Sequence, residues 1–327
     1  MDQASRLRIR DFVEGRDEDE WIRLFNSYYG HYYGREFEPL DEDDIEWNKR
    51  TPWWRDSRIL MADLGGRAVG MIRAYVDRAR SPPKGYIYDL AVELELEETE
   101  VPRALLEEAL SWLEGEGASS VQAYARDNME ARIRLYREEG FKLIRSFSVM
   151  RLRADELPEG VRANEEVELR VAKPLEDEED LRTLNYLSNE AFSEHFDFSP
   201  ESLEETRVFF EHEGYEDLAV LAYLGGEPVG YVVATVSKDL PELDFKRGFI
   251  MSIGVLKPHR RRGIGTALML RAMRWLVSKG VEVIELTVDD DNPTGAPAFY
   301  ASLGFRRAFR TLVFLKELKG EGPSPKA

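Results

Sequence analysis

The chain has no cysteine, which excludes disulfides, thiolate-bound metals and a cysteine nucleophile. Its four histidines, His31, His195, His212 and His259, are scattered and leave little material for a zinc site. No run approaches the roughly 18 consecutive apolar residues of a membrane helix, and the opening MDQASRLRIRD lacks an apolar signal core. Cations are in the minority, with 45 Lys and Arg against 63 Asp and Glu, a formal net charge of −18. Phosphate backbones reward a basic surface, so this balance argues against a nucleic-acid partner. An acidic field can draw in a cationic substrate, although the same balance also serves solubility. The expectation is a soluble, metal-free, cytoplasmic protein with no membrane partner.

Against these absences stand an apolar content of 43% and an aromatic content of 11%, enough to build sizeable cores. A length of 327 residues predicts two domains of about 150 residues each. The chain also repeats itself. LGGRAVG at 64–70 recurs as LGGEPVG at 224–230, and DNMEARIRLYREEGF at 127–141 recurs as DNPTGAPAFYASLGF at 291–305. YDLAV at 88–92 parallels MSIGV at 251–255. Two copies at this period mean tandem domains, because a solenoid needs three or more shorter units. The polar stretch ADELPEGVRANEE at 154–166 marks the boundary. The predicted domains are 1–157 and 165–320, with a disordered tail at 321–327.

Each copy reads alike. In the second, a strand near Val167–Ala172 precedes a helix over roughly 177–192 and then a polar, aromatic segment. LAVLAYL and VGYVVATV flank Gly225-Gly226 as a hairpin. GFIMSIGV is a buried strand, 263–279 an amphipathic helix, VEVIELTV a strand, 294–303 a helix and RTLVFLKEL the last strand. Helices alternating with β-branched runs predict a mixed α/β fold around a central sheet.

The stretch HRRRGIGTALM at 259–269 sets three arginines before a glycine pair at a helix start. First-turn N–H groups lack intrahelical partners, and the macrodipole makes that end partly positive, so a diphosphate binds well there. Gly263 and Gly265 remove Cβ atoms that would hold phosphate oxygens off the backbone. Arginines add charge and forked donors. No lysine follows the glycines, so this is not a P-loop, and it is not a dinucleotide fingerprint either. Taken alone, the stretch reads equally well as a solvated basic turn.

Its surroundings decide between the two. R-x-x-G-x-G after a strand, then an apolar helix, a strand, Asn292, Tyr300 eight residues on, and Gly304-Phe305 resembles the GNAT superfamily of N-acetyltransferases. The resemblance covers both halves, so the chain looks like a tandem GNAT protein, an arrangement also found in mycothiol synthase. It implies a central, mostly antiparallel sheet flanked by helices in each domain, and acetyl-CoA as cosubstrate. Ile253, Gly254 and Val255 would pair with the pantetheine arm. The N–H groups of Arg261, Arg262, Gly263, Ile264, Gly265 and Thr266 would cradle the pyrophosphate, with Arg260 heading the motif. Asn292 would hydrogen-bond the arm, although many relatives place the tyrosine seven residues after it.

In the first half Glu97 stands where Arg260 stands, Glu100 replaces Gly263 and Pro102 replaces Gly265. Carboxylates repel a pyrophosphate and a proline removes an N–H, so this half keeps the fold and loses the cofactor. Asn128 and Tyr136 persist there, for packing and helix capping.

The reaction implied is direct attack of a primary amine, from a small molecule or a peptide, on the acetyl thioester. The Val255 N–H would stabilise the oxyanion and Tyr300 would be the general acid. GFIMSIGV lacks the glutamate that many relatives use as base. Glu194 and His195 are the candidates, with Asp197 and Asp289 behind them. That missing glutamate also supports a rival, a non-catalytic acyl-CoA-binding regulatory protein. The aromatic run NSYYGHYYGREF, with His31, is either a core cap or an acceptor pocket.

Overall fold

A computed structural model describes residues 6–238 and 245–318; the tail expected at 321–327 lies outside them. In the first repeat the elements are β1 (Arg8–Asp11), α1 (Glu18–Tyr33), α2 (Glu42–Arg50), α3 (Pro52–Arg55), β2 (Ser57–Leu64), β3 (Arg67–Asp77), β4 (Lys84–Val92), α4 (Glu100–Gly115), β5 (Ser120–Arg126), α5 (Glu130–Glu138) and β6 (Lys142–Arg153). In the second they are β7 (Glu168–Ala172), α6 (Glu178–Phe192), α7 (Leu203–Phe210), β8 (Tyr215–Leu224), β9 (Glu227–Ser237), β10 (Arg247–Val255), α8 (Ile264–Ser278), β11 (Val283–Asp289), α9 (Ala296–Ser302) and β12 (Arg306–Glu317). The mixed α/β class read from the sequence is what forms. Among the described residues, no helix is long and apolar enough to cross a membrane.

The compact units do not follow the predicted division at 1–157 and 165–320. Unit 1 is Met1–Ser146 with Thr311–Ala327, and unit 2 is Phe147–Arg310. The sheet of unit 1 runs β1-β2-β3-β4-β5-β12, and that of unit 2 runs β6-β11-β10-β9-β8-β7. Each repeat therefore gives its last strand to the other's sheet. β12 lies on β5 from Thr311↔Arg126 to Glu317↔Ser120, and β6 lies on β11 from Phe147↔Asp289 to Arg153↔Val283. Neighbours are antiparallel except β4 with β5 and β10 with β11, which are parallel.

Local chemistry explains the shared plan. Gly65-Gly66 and Gly225-Gly226 take φ of +63° and +81°, and of +63° and +87°, the left-handed pair that a two-residue hairpin loop requires. The unexpected helix α7 begins with a capping box between Ser202 and Glu205. In unit 2 the alternation of β9 splits the core. Val232, Ala234 and Val236 pack with Leu268, Met273 and Leu276 of α8, whereas Tyr231 and Val233 pack with Leu184, Leu187 and Ala191 of α6 on the other face.

Candidate active site

β10 and β11 are paired only from Arg247↔Val283 to Phe249↔Glu285, and then they part. A bulge between Ile250 and Ser252 shifts the register of β10 against β9. Leu256 N–H donates to the Val229 carbonyl at 2.9 Å. The antiparallel alternation then turns the backbone groups of Val255 and Ile253 away from β9, into the gap. A cavity of about 660 Å³ occupies this gap.

The helix that borders it is open at its start. α8 is preceded by Gly263 at φ +76° and has no side-chain cap, so its first-turn N–H groups keep their hydrogen-bonding capacity. Arg261 also has positive φ, +63°, and left-handed residues beside helical ones form anion-binding concavities. The two glycines serve different ends. A Cβ on Gly263 would come 3.0 Å from the Asn164 nitrogen, so backbone geometry and packing account for it. A Cβ on Gly265 would meet only Phe299 Cζ at 3.7 Å and Val255 Cγ2 at 3.9 Å, ordinary contacts, so nothing in the protein demands a glycine there. Gly254 is again a packing glycine, its Cβ position 2.6 Å from Ala191 Cβ.

The arginines divide as well. Arg260 turns inward: Nε donates to the Val255 carbonyl at 2.9 Å and a terminal nitrogen to the Ala191 carbonyl at 3.0 Å, near the end of α6. Its side chain braces the loop while still lining the cavity. Arg261 and Arg262 are exposed, and their side chains make no ion pair among the described residues. Arg262 does not line the cavity; every other residue expected to hold the cosubstrate does. His259, which the sequence did not single out, also lines it, and its Nδ1 is buried without a hydrogen-bond partner.

Of the residues expected at the chemistry, Val255, Tyr300 and His195 line the cavity and Glu194 does not. Glu194 is ion-paired with Lys257 at 2.5 Å and with Arg260 at 3.3 Å, and these cations hold its carboxylate below the usual range. A carboxylate so held is a poor base. Tyr300 is buried on α9, and burial pushes its hydroxyl up, so the phenol keeps its proton. Pro297 sits within the first turn of that helix, where its missing N–H costs nothing. The Asn292 side-chain carbonyl accepts from the Thr294 N–H at 2.9 Å and the Thr294 hydroxyl at 2.6 Å, so it holds the turn into α9, and only its amide nitrogen remains for a ligand. Burial, then the Arg260 guanidinium, hold the His195 imidazole below its usual range, against an opposing pull from Asp289 and Glu194.

Unit 1 has the same parting, since β4 and β5 pair only as far as Ile87↔Ala123. There the gap is filled from within. Arg132 on α5 is 4% exposed, donates to the Leu90 carbonyl and to the Tyr29 hydroxyl, and lies under the Tyr28 ring. In the repeat alignment Arg132 stands at Ala296, which lines the cavity of unit 2. Glu97 accepts from the Tyr28 and Tyr32 hydroxyls, and Thr99 caps α4 through the Val101 N–H at 3.3 Å. The aromatic run of the first half is thus packing material around a buried guanidinium. Tyr136 packs on Phe141 and Phe314, while Asn128 donates to the Tyr32 carbonyl in the last turn of α1 and so caps that helix rather than α5.

The acetyltransferase (GNAT) family matches residues 19–141 and 181–305. A mycothiol acetyltransferase of Thermobispora bispora is 32% identical over 204 residues, 58% of this chain and 64% of that protein. An N-alpha-acetyltransferase of Sulfurisphaera tokodaii is 35% identical over 108 residues, 30% of this chain and 62% of that protein. The matched stretches thus span less than two thirds of these relatives' lengths. Among solved structures, a tandem GNAT protein from the clavulanic acid biosynthesis pathway superposes with a TM-score of 0.75 at 18% identity, covering 98% of this chain and 100% of that one, a likeness of fold. With both repeats matched, the chain belongs to the acetyltransferase (GNAT) family in a tandem arrangement.

Proposed function

We propose that the chain transfers an acetyl group from acetyl-CoA to a primary amine at one site, in unit 2, and that unit 1 keeps the fold without binding the cosubstrate. The contrast between the two gaps carries this reading: one is an open cavity beside an uncapped helix start, and the other is filled by Arg132. The residues of unit 2 fit acetyl-CoA. Free N–H groups at α8 and the room at Gly265 suit its diphosphate, and the outward backbone groups of Ile253 suit its amide arm. Bound there, acetyl-CoA supplies an activated acyl thioester.

The chain's own groups then do the rest. His195 accepts the proton of the incoming ammonium, freeing the nitrogen lone pair to form the C–N bond. The Val255 N–H faces the developing oxyanion. Tyr300 gives its proton to the departing thiolate as the C–S bond breaks.

Calorimetric titration with CoA is the direct test, expected to give one site per chain; two equivalent sites would overturn the assignment of unit 1. Thiol release from acetyl-CoA on adding amines separates transfer from binding alone. The base has its own signature. An imidazole below its usual pKa of about 6.5 is neutral at lower pH, so the acid limb of kcat/KM falls below pH 6.5. The groups that set it are Arg260, Asp289 and Glu194. His195→Gln is expected to remove that limb and lower kcat by about 10²-fold; a limb that persists in the variant assigns the proton to another group.

A further inference from the structure

The cavity has a second end, away from the glycine loop. On β11, Leu286 and Val288 pack into the core beneath α8 and α9, so alternation points Thr287 and Asp289 to the opposite face, where α6 lies. Phe147 is the cross-strand neighbour of Asp289 and shares that face. Phe147, Asp289 and His195 all line the cavity. Phe147 comes from the first repeat, carried in by β6. Asp289 is 7% exposed and accepts from the Asp291 N–H at 3.0 Å, which fixes its carboxylate. Of the arginines that line the site, Arg261 belongs to the glycine-rich loop, whereas the Arg260 guanidinium lies toward His195, held by the Ala191 carbonyl and paired with the Glu194 carboxylate.

We infer that Asp289 and Phe147 recognise the acceptor as a cationic primary amine, the carboxylate opposing its ammonium and the ring face lying beside it, with His195 within reach of its proton. This rests on the acetyl-transfer reading and adds the side chains that select the acceptor by its charge. A buried carboxylate and an aromatic ring complement an ammonium and leave a neutral arylamine unrewarded. The net charge of −18 draws in the same class of molecule. The first repeat thereby contributes a specificity-determining side chain to the catalytic unit although its own gap is closed.

The test compares 2-phenylethylamine, cationic at neutral pH, with 4-methylaniline, neutral at that pH, as acceptors for the full chain. Thiol release gives kcat/KM for each. The wild type is expected to favour the cationic amine. Asp289→Asn keeps an oxygen for the Asp291 N–H and is expected to lower the cationic-to-neutral ratio at least about tenfold. Phe147→Leu is expected to lower it about three- to tenfold. KM for acetyl-CoA should hold in both. A wild type that prefers the neutral amine, or a ratio that neither variant moves, overturns this inference and leaves acetyl transfer standing. Absence of thiol release with either amine overturns both.

Discussion

Gly265→Glu yields a protein that folds at least as stably as the wild type and binds CoA at least about 100-fold more weakly. The two halves of this result have separate causes. The Cβ at position 265 finds only ordinary contacts, the first at 3.7 Å. Glycine is a poor helix residue and a carboxylate favours a helix N-terminus, so the exchange removes a backbone cost and adds a favourable charge. The same carboxylate takes over the N–H groups that a diphosphate needs and repels what remains. Thermal unfolding and calorimetry on one sample check both halves. A binding loss accompanied by a lower Tm would mean that the glycine serves the fold. Gly263 is unsuited to this test, because φ of +76° and the nearby Asn164 nitrogen make any side chain there a folding defect.

Tyr300→Phe lowers kcat by about 10²- to 10³-fold and leaves the Kd for CoA unchanged. The Tyr300 hydroxyl meets no hydrogen-bond partner among the described residues, so its deletion strands no buried group and the variant folds normally. Burial keeps the proton on the phenol across the working range, as a general acid requires. A variant with unchanged kcat would hand protonation of the thiolate to water and leave Tyr300 as packing against Phe299 and Phe305.

How far the sequence could be read depended on how local each cause was. The hairpins at Gly65-Gly66 and Gly225-Gly226 and the helix start at Gly263 are set by backbone geometry within a few residues, and their positions were legible. Glu97 and Pro102 pointed to a half unsuited to a pyrophosphate, yet the side chain that fills its gap did not stand out. Arg132 in the middle of a helix reads as a solvated charge, and only the unpaired carbonyl of Leu90 in a gap between strands gives its guanidinium a reason to be buried. The role of Arg260 within the loop was equally hidden. Three consecutive arginines promise a cationic mouth, but the carbonyls of Ala191 and Val255 capture the first of them. Phe147 was invisible for a third reason: its neighbour Asp289 lies in the other repeat, and nothing in a strand's patterning names the sheet it will enter.

The exchange of final strands sets a timetable for synthesis. β5 cannot receive its antiparallel neighbour until the segment from Thr311 to Glu317 has left the ribosome. At ~5–20 residues per second, the interval after Arg126 emerges lasts roughly ten to forty seconds. Throughout it the nascent N-terminal module carries a bare β-edge, the kind that invites strand-by-strand association between polysomal neighbours.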